Sequence, residues 1–84
     1  MPEPQTTVYV LQSTIQQHRY YVGKTWNLQV RLRDHNTGRS RHTASGRPWR
    51  LVASIEFADV DRAAQFEKYL KSGSGRAFTR RHFR

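Results

Sequence analysis

Three positions that should turn inward carry polar side chains where packing alone would ask for leucine: Arg31, His35 and Glu67. Arg31 and His35 share one helical face with Leu28 and Leu32, in the i, i+3, i+4, i+7 order. Glu67 interrupts the apolar stripe of Val60, Ala63, Ala64 and Leu70. A buried charge without a partner is costly, so each of these residues needs a reason. Tyr9 and Tyr21 add two phenols from neighbouring strand-like segments. Arginine binds phosphate through a bidentate fork, a carboxylate holds a hard cation, and a phenol can carry a proton. Brought together on a cleft floor, these groups form a set for phosphate-ester hydrolysis. The plain alternative is a buried Arg31–Glu67 ion pair beside two tyrosines that only pack.

A hairpin must bring the tyrosines together. Thr6 to Gln12 reads as a strand from its Val, Tyr and Thr content, and Arg19 to Gly23 as its partner. Pairing centred on Ile15 sets Tyr9 opposite Tyr21, with both rings on one face, away from Val8, Val10 and Val22. Asn27 caps a helix over Leu28 to Asn36 that carries Arg31 and His35, and Gly38 closes it. Thr37 to Arg47 is rich in Gly, Ser, Thr and Arg without periodicity and reads as a mobile basic loop, ended by Pro48. Trp49 to Phe57 alternates as a third strand, with Leu51, Ala53 and Ile55 on one face and Val52 and Phe57 elsewhere. Asp59 caps a second helix that runs to about Lys71 and carries Glu67 inward, with Phe66 beside it. Ser72-Gly73-Ser74-Gly75 breaks the chain, and Arg76 to Phe83 forms a short basic helix anchored by Ala77, Phe78 and Phe83.

Eighty-four residues leave room for one hydrophobic core, so a single domain over residues 1–84 is expected. There is no cysteine, and the four histidines lack zinc-binding spacing, so a structural metal is not expected. With neither a leader-like start nor a run of apolar residues long enough to cross a bilayer, the reading is a soluble cytoplasmic protein. The formal net charge is +9, and four of the six acids lie between Glu56 and Glu67. The loop bears Arg39, Arg41 and Arg47, and the C-terminal segment bears Arg76, Arg80, Arg81 and Arg84, without an intervening acid in either. Arginine outnumbers lysine twelve to three, which favours bidentate phosphate contacts over mere solubility. The expected partner is a polyanion, nucleic acid ahead of an anionic membrane because no strongly amphipathic basic helix is present.

Thr7-Val8-Tyr9 and Tyr21-Val22-Gly23, followed by Lys24 and Thr25, resemble the two short motifs that name the GIY-YIG nucleases. The resemblance covers nearly the whole chain. Leu28, Arg31, Leu32, His35 and Asn36 follow the spacing of that family's first helix, Pro48-Trp49 that of its third strand, and Phe66-Glu67-Lys68-Tyr69-Leu70-Lys71 that of its glutamate-bearing helix. Thr7 stands where the family has glycine, and no asparagine follows Glu67.

The resemblance implies a small stand-alone nuclease domain: an α+β fold with a three-stranded antiparallel sheet flanked by helices. It implies a divalent-metal-dependent endonuclease acting on nucleic acid, DNA ahead of RNA, with Glu67 holding one Mg2+ or Mn2+ ion. Tyr9 would activate water or receive its proton, assisted by Tyr21. Arg31 would bind the scissile phosphate, Lys24 and His35 would neutralise or position it, and Gly23 would leave room for the substrate backbone. The Tyr9 phenol would then need nearby cations, Arg31, Lys24 or the metal, to lower its pKa. Two other readings stay open: a nucleic-acid-binding module of the same fold without turnover, which the missing asparagine permits, and a basic protein-interaction module. Repair, recombination and mobile-element roles are equally compatible with the sequence.

Overall fold

The computed structural model describes residues 6–83, so the expectations for the first five residues and for Arg84 fall outside it. Three strands, β1 (Thr6–Ser13), β2 (Tyr20–Thr25) and β3 (Trp49–Phe57), form one antiparallel sheet in the order β2-β1-β3. Three helices accompany it: α1 (Leu28–Thr37), α2 (Val60–Leu70) and α3 (Gly73–His82). The fold is therefore α+β, a three-stranded antiparallel sheet flanked by helices, as expected. No helix among the described residues is long and apolar enough to cross a membrane.

β1 is central and covered on both sides. Val8 and Val10 pack with Ala63 and Leu70 of the α2 side, while Tyr9 and Leu11 pack with Trp49, Leu28 and Leu32 on the α1 side. Period-two alternation thus sorts one strand into two apolar clusters. Local chemistry fixes the helix starts as the sequence suggests. Asn27 caps α1 by accepting the Val30 N–H, Asp59 caps α2 by accepting from Asp61 and Arg62, and Gly38 closes α1.

The hairpin register differs from the predicted one by two residues: Tyr9 pairs with Gly23, and Tyr21 with Leu11. Ser13 is the cause. Its hydroxyl accepts the Ile15 and Gln16 N–H groups and donates to the Gly46 carbonyl at 2.5 Å, moving the turn one residue along the chain. A two-residue difference preserves parity, so Tyr9 and Tyr21 still share a face.

The expected face of β3 also changes. Val10 pairs with Ala53 but Leu11 with Leu51, leaving Val52 as a bulge residue. Ala53, Ile55 and Phe57 therefore lie on the α2 side, while Leu51 and Trp49 have crossed to the α1 side.

Two further expectations fail. The segment read as a mobile loop is tied down: Thr43 is buried, Trp49 Nε1 donates to its carbonyl at 2.7 Å, and Asn36 bonds both the N–H and the carbonyl of Trp49. Arg19 adds hydrogen bonds to the His42 carbonyl and the Ser45 hydroxyl. Nor do the glycines after Ser72 break the chain. Ser72 caps α3, which begins at Gly73, and Gly75 lies inside the helix where it meets the end of α2.

A Cβ at Gly75 would stand 2.5 Å from Leu70 Cα and would also collide with the Tyr69 carbonyl. Both obstacles are backbone. Helix propensity alone would make Gly75→Ala stabilising by about 1 kcal/mol. The close approach reverses the sign, and we expect a loss of about 3 kcal/mol in urea unfolding. An unchanged or raised midpoint would show that α2 and α3 do not touch there.

Candidate active site

β1 delivers Tyr9 to the α1 side of the sheet, and α1 delivers His35 to meet it. Both are fully enclosed, at 1 % and 0 % exposure. Tyr9 Oη lies 2.8 Å from His35 Nε2, and His35 Nδ1 lies 2.7 Å from the hydroxyl of Thr43, itself 1 % exposed. Thr43 Oγ1 in turn donates to the Ser40 carbonyl at 3.3 Å. Tyr21 closes the cluster, its ring centroid 4.8 Å from His35 and 6.2 Å from Tyr9.

Gly23 explains how the phenol fits. A Cβ there would come within 2.5 Å of Tyr9 Oη and 2.7 Å of Tyr9 Cζ. The glycine is buried and makes room for Tyr9.

Arg31, one turn before His35 on α1, lies against the Tyr9 phenol with its side chain 35 % exposed, and bonds Asp34 at 3.4 Å. On α2, Glu67 is 19 % exposed and accepts from Lys71 at 3.1 Å. The buried Arg31–Glu67 ion pair offered as the plain reading is not formed; each has another partner. Glu67 is near enough for its charge to oppose ionisation of Tyr9.

Burial pushes the Tyr9 phenol above its ordinary value, and the hydrogen bond and charge of Arg31 offset that only in part. Arg31 thus supplies the lowering expected of a nearby cation, but burial outweighs it. Lys24 has no part in it. It pairs with Val8, so it projects from the opposite face of the sheet and borders a groove with Trp26 and Val60. The structure does not bring Lys24 to the Tyr9 cluster.

Burial, and then the charge of Arg31, hold His35 below the ordinary histidine range. His35 is thus a neutral ring and does not neutralise phosphate. A consequence for stability follows. The unfolded chain binds a proton at this ring that the folded chain refuses, so stability is full at neutral pH and falls as pH drops below about 6.5. The loss should approach about 1.4 kcal/mol per pH unit for one proton. Urea melts at pH 7.5 and 5.5 should show a drop that shrinks in His35→Gln; equal drops would rule His35 out as its source.

The arginines expected to bind nucleic acid are all exposed: Arg39, Arg41 and Arg47 on the segment that supplies Thr43, and Arg76, Arg80 and Arg81 along α3. Sequence reasoning missed Thr43. It stands among serines, threonines and arginines with no pattern to mark it, and only the packing of its segment against α1 reveals it.

Residues 5–81 match the GIY-YIG catalytic domain. The structure-specific endonuclease subunit SLX1 of Chaetomium globosum is 37 % identical over 67 residues, which cover 73 % of this chain and 21 % of that protein. The chain thus spans about a fifth of the length of this curated relative.

Proposed function

The chain belongs to the GIY-YIG nuclease family, and from that premise we propose that it is an endonuclease hydrolysing phosphodiester bonds in DNA with one divalent cation, Mg2+ or Mn2+. The observation that carries this reading is the buried Tyr9–His35–Thr43 chain with Arg31 against the phenol.

One proton assignment makes every contact in that chain a hydrogen bond. Thr43 donates to Ser40, so its oxygen accepts Nδ1–H of His35, which leaves Nε2 unprotonated and facing the phenol. Tyr9 then donates to a neutral base. When water attacks phosphorus, its proton passes to Tyr9 Oη while the tyrosine proton passes to His35 Nε2. The raised phenol pKa is compatible with this route, because no free phenolate has to accumulate. Arg31 holds a non-bridging phosphate oxygen and stabilises charge as it develops, and the bond to the departing oxygen breaks with a proton taken from solvent. Tyr21 buttresses the imidazole.

A metal fits these residues in one form only. Among the described residues, no three His, Asp or Glu side chains gather as a ready-made cage. A single carboxylate, Glu67, suits a hard cation that keeps several waters and completes its shell with substrate phosphate oxygens. Such an ion, when bound, supplies positive charge at the scissile phosphate.

The relative's description as structure-specific supports choice of substrate by shape. A cleavage panel of duplex, nicked, single-stranded and branched DNA, with Mg2+, with Mn2+ and with chelator, tests the proposal. We expect metal-dependent cuts favouring branched or nicked substrates. Retained binding without a cut on any substrate would replace the nuclease by a binding module.

A further inference from the structure

A second concave site opens on the α2–α3 side of the edge strand β2, with a volume of about 560 Å³. Its floor is apolar and aromatic, from Tyr20, Val22 and Leu70, and its rim is cationic, from Lys71 and Arg76, with His18 beside them. The Arg76 guanidinium and the His18 ring make no hydrogen bond or ion pair among the described residues, and both are exposed. Thr79 also lines the cavity. It is 5 % exposed, and its Oγ1 is buried without a hydrogen-bond partner. An unsatisfied buried hydroxyl is costly and uncommon in a folded chain, and here it borders a cavity of ligand size. Lys71 joins the two sites, since its ammonium donates to Glu67 from the rim of this pocket.

We infer that this pocket holds one unpaired nucleotide of a strand whose neighbouring phosphate reaches Glu67 and Arg31. The chemistry of the walls selects that ligand. A cationic rim takes the phosphate, an apolar and aromatic floor takes the face of a base, and Thr79 offers a hydroxyl to the base edge. A paired base cannot enter, because both its face and its edge are engaged within the helix. The inference rests on the nuclease reading and extends it, giving preference to substrates with an unpaired nucleotide beside the cut.

The test uses the full chain, isotopically labelled for amide NMR, in chelator. The probes are single-stranded hexathymidylate, a six-base-pair duplex and thymidine 5′-monophosphate. We expect the single strand to shift amides in residues 18–22 and 71–79 more than the duplex does, and to bind more tightly than the monophosphate. Arg76→Ala should weaken single-strand binding about tenfold and flatten its salt slope by about 0.7, one lost phosphate contact. Thr79→Val should weaken it about fivefold with no change of slope, because a neutral group is lost, and Thr79→Ser should restore it. Shifts confined to the Tyr9 face, wild-type affinity in Arg76→Ala and Thr79→Val, or a monophosphate that binds as tightly as the strand would overturn the assignment. Cleavage by the wild-type chain is read in parallel. Cutting without these shifts removes the pocket alone, whereas these shifts in a chain that never cuts uphold the pocket and remove the nuclease.

Discussion

Glu67→Gln is expected to reduce cleavage about a thousandfold while leaving the unfolding midpoint almost where it was. The two halves of this result come from different facts. Glu67 is joined to Lys71 four residues on, and the lysine side chain is 54 % exposed. Such a pair contributes no more than about 0.5 kcal/mol. Had Glu67 been the buried partner of Arg31, its neutralisation would strand a cation and cost about 3 kcal/mol or more. Binding measured in chelator should persist or tighten, because a carboxylate that repels phosphate has been removed. Thermal melts, a binding titration and a nicking assay on one purified variant decide the matter. A destabilised protein that still cuts would end the assignment of Glu67 to the chemistry.

Tyr9→Phe should lower single-turnover cleavage by about a hundredfold to ten-thousandfold, the range for loss of a proton-transfer group. Substrate binding should survive, since Arg31 and the exposed arginines are untouched. The ring keeps its packing over Gly23, but His35 Nε2 loses its partner in a fully buried place, so stability should fall by about 1–3 kcal/mol. Tyr21→Phe should be milder on both counts, as its ring packs on His35 while its hydroxyl is not in the Tyr9–His35–Thr43 chain. Wild-type rates in both variants would make the tyrosines packing residues.

What the sequence disclosed was local. The caps Asn27 and Asp59, the closing Gly38 and the limits of β3 follow from side chains acting on their own or adjacent backbone. What it concealed depends on residues far apart in the chain. The register follows from Ser13 binding Gly46, and the change of face in β3 from a bulge against β1.

The same division runs through the site. Tyr9, Tyr21, Arg31, His35 and Glu67 could be singled out because polar groups at inward positions are conspicuous. The electrical state of His35 could not, because burial and Arg31 set it together. Lys24 shows the opposite error, since sequence adjacency to Gly23 places it on the other face of a strand.

The position of β1 has a consequence for how this protein fails. The strand that carries the phenol is bonded to neighbours on both edges and covered by both apolar clusters, so it belongs to the last part of the chain to open. Its amides should be among the slowest to exchange with deuterium. Fraying of α3 would weaken the grip on a substrate and leave the proton chain assembled. On gentle heating, affinity should therefore decay ahead of the intrinsic rate of cutting, and the rate should vanish only with the cooperative loss of the sheet.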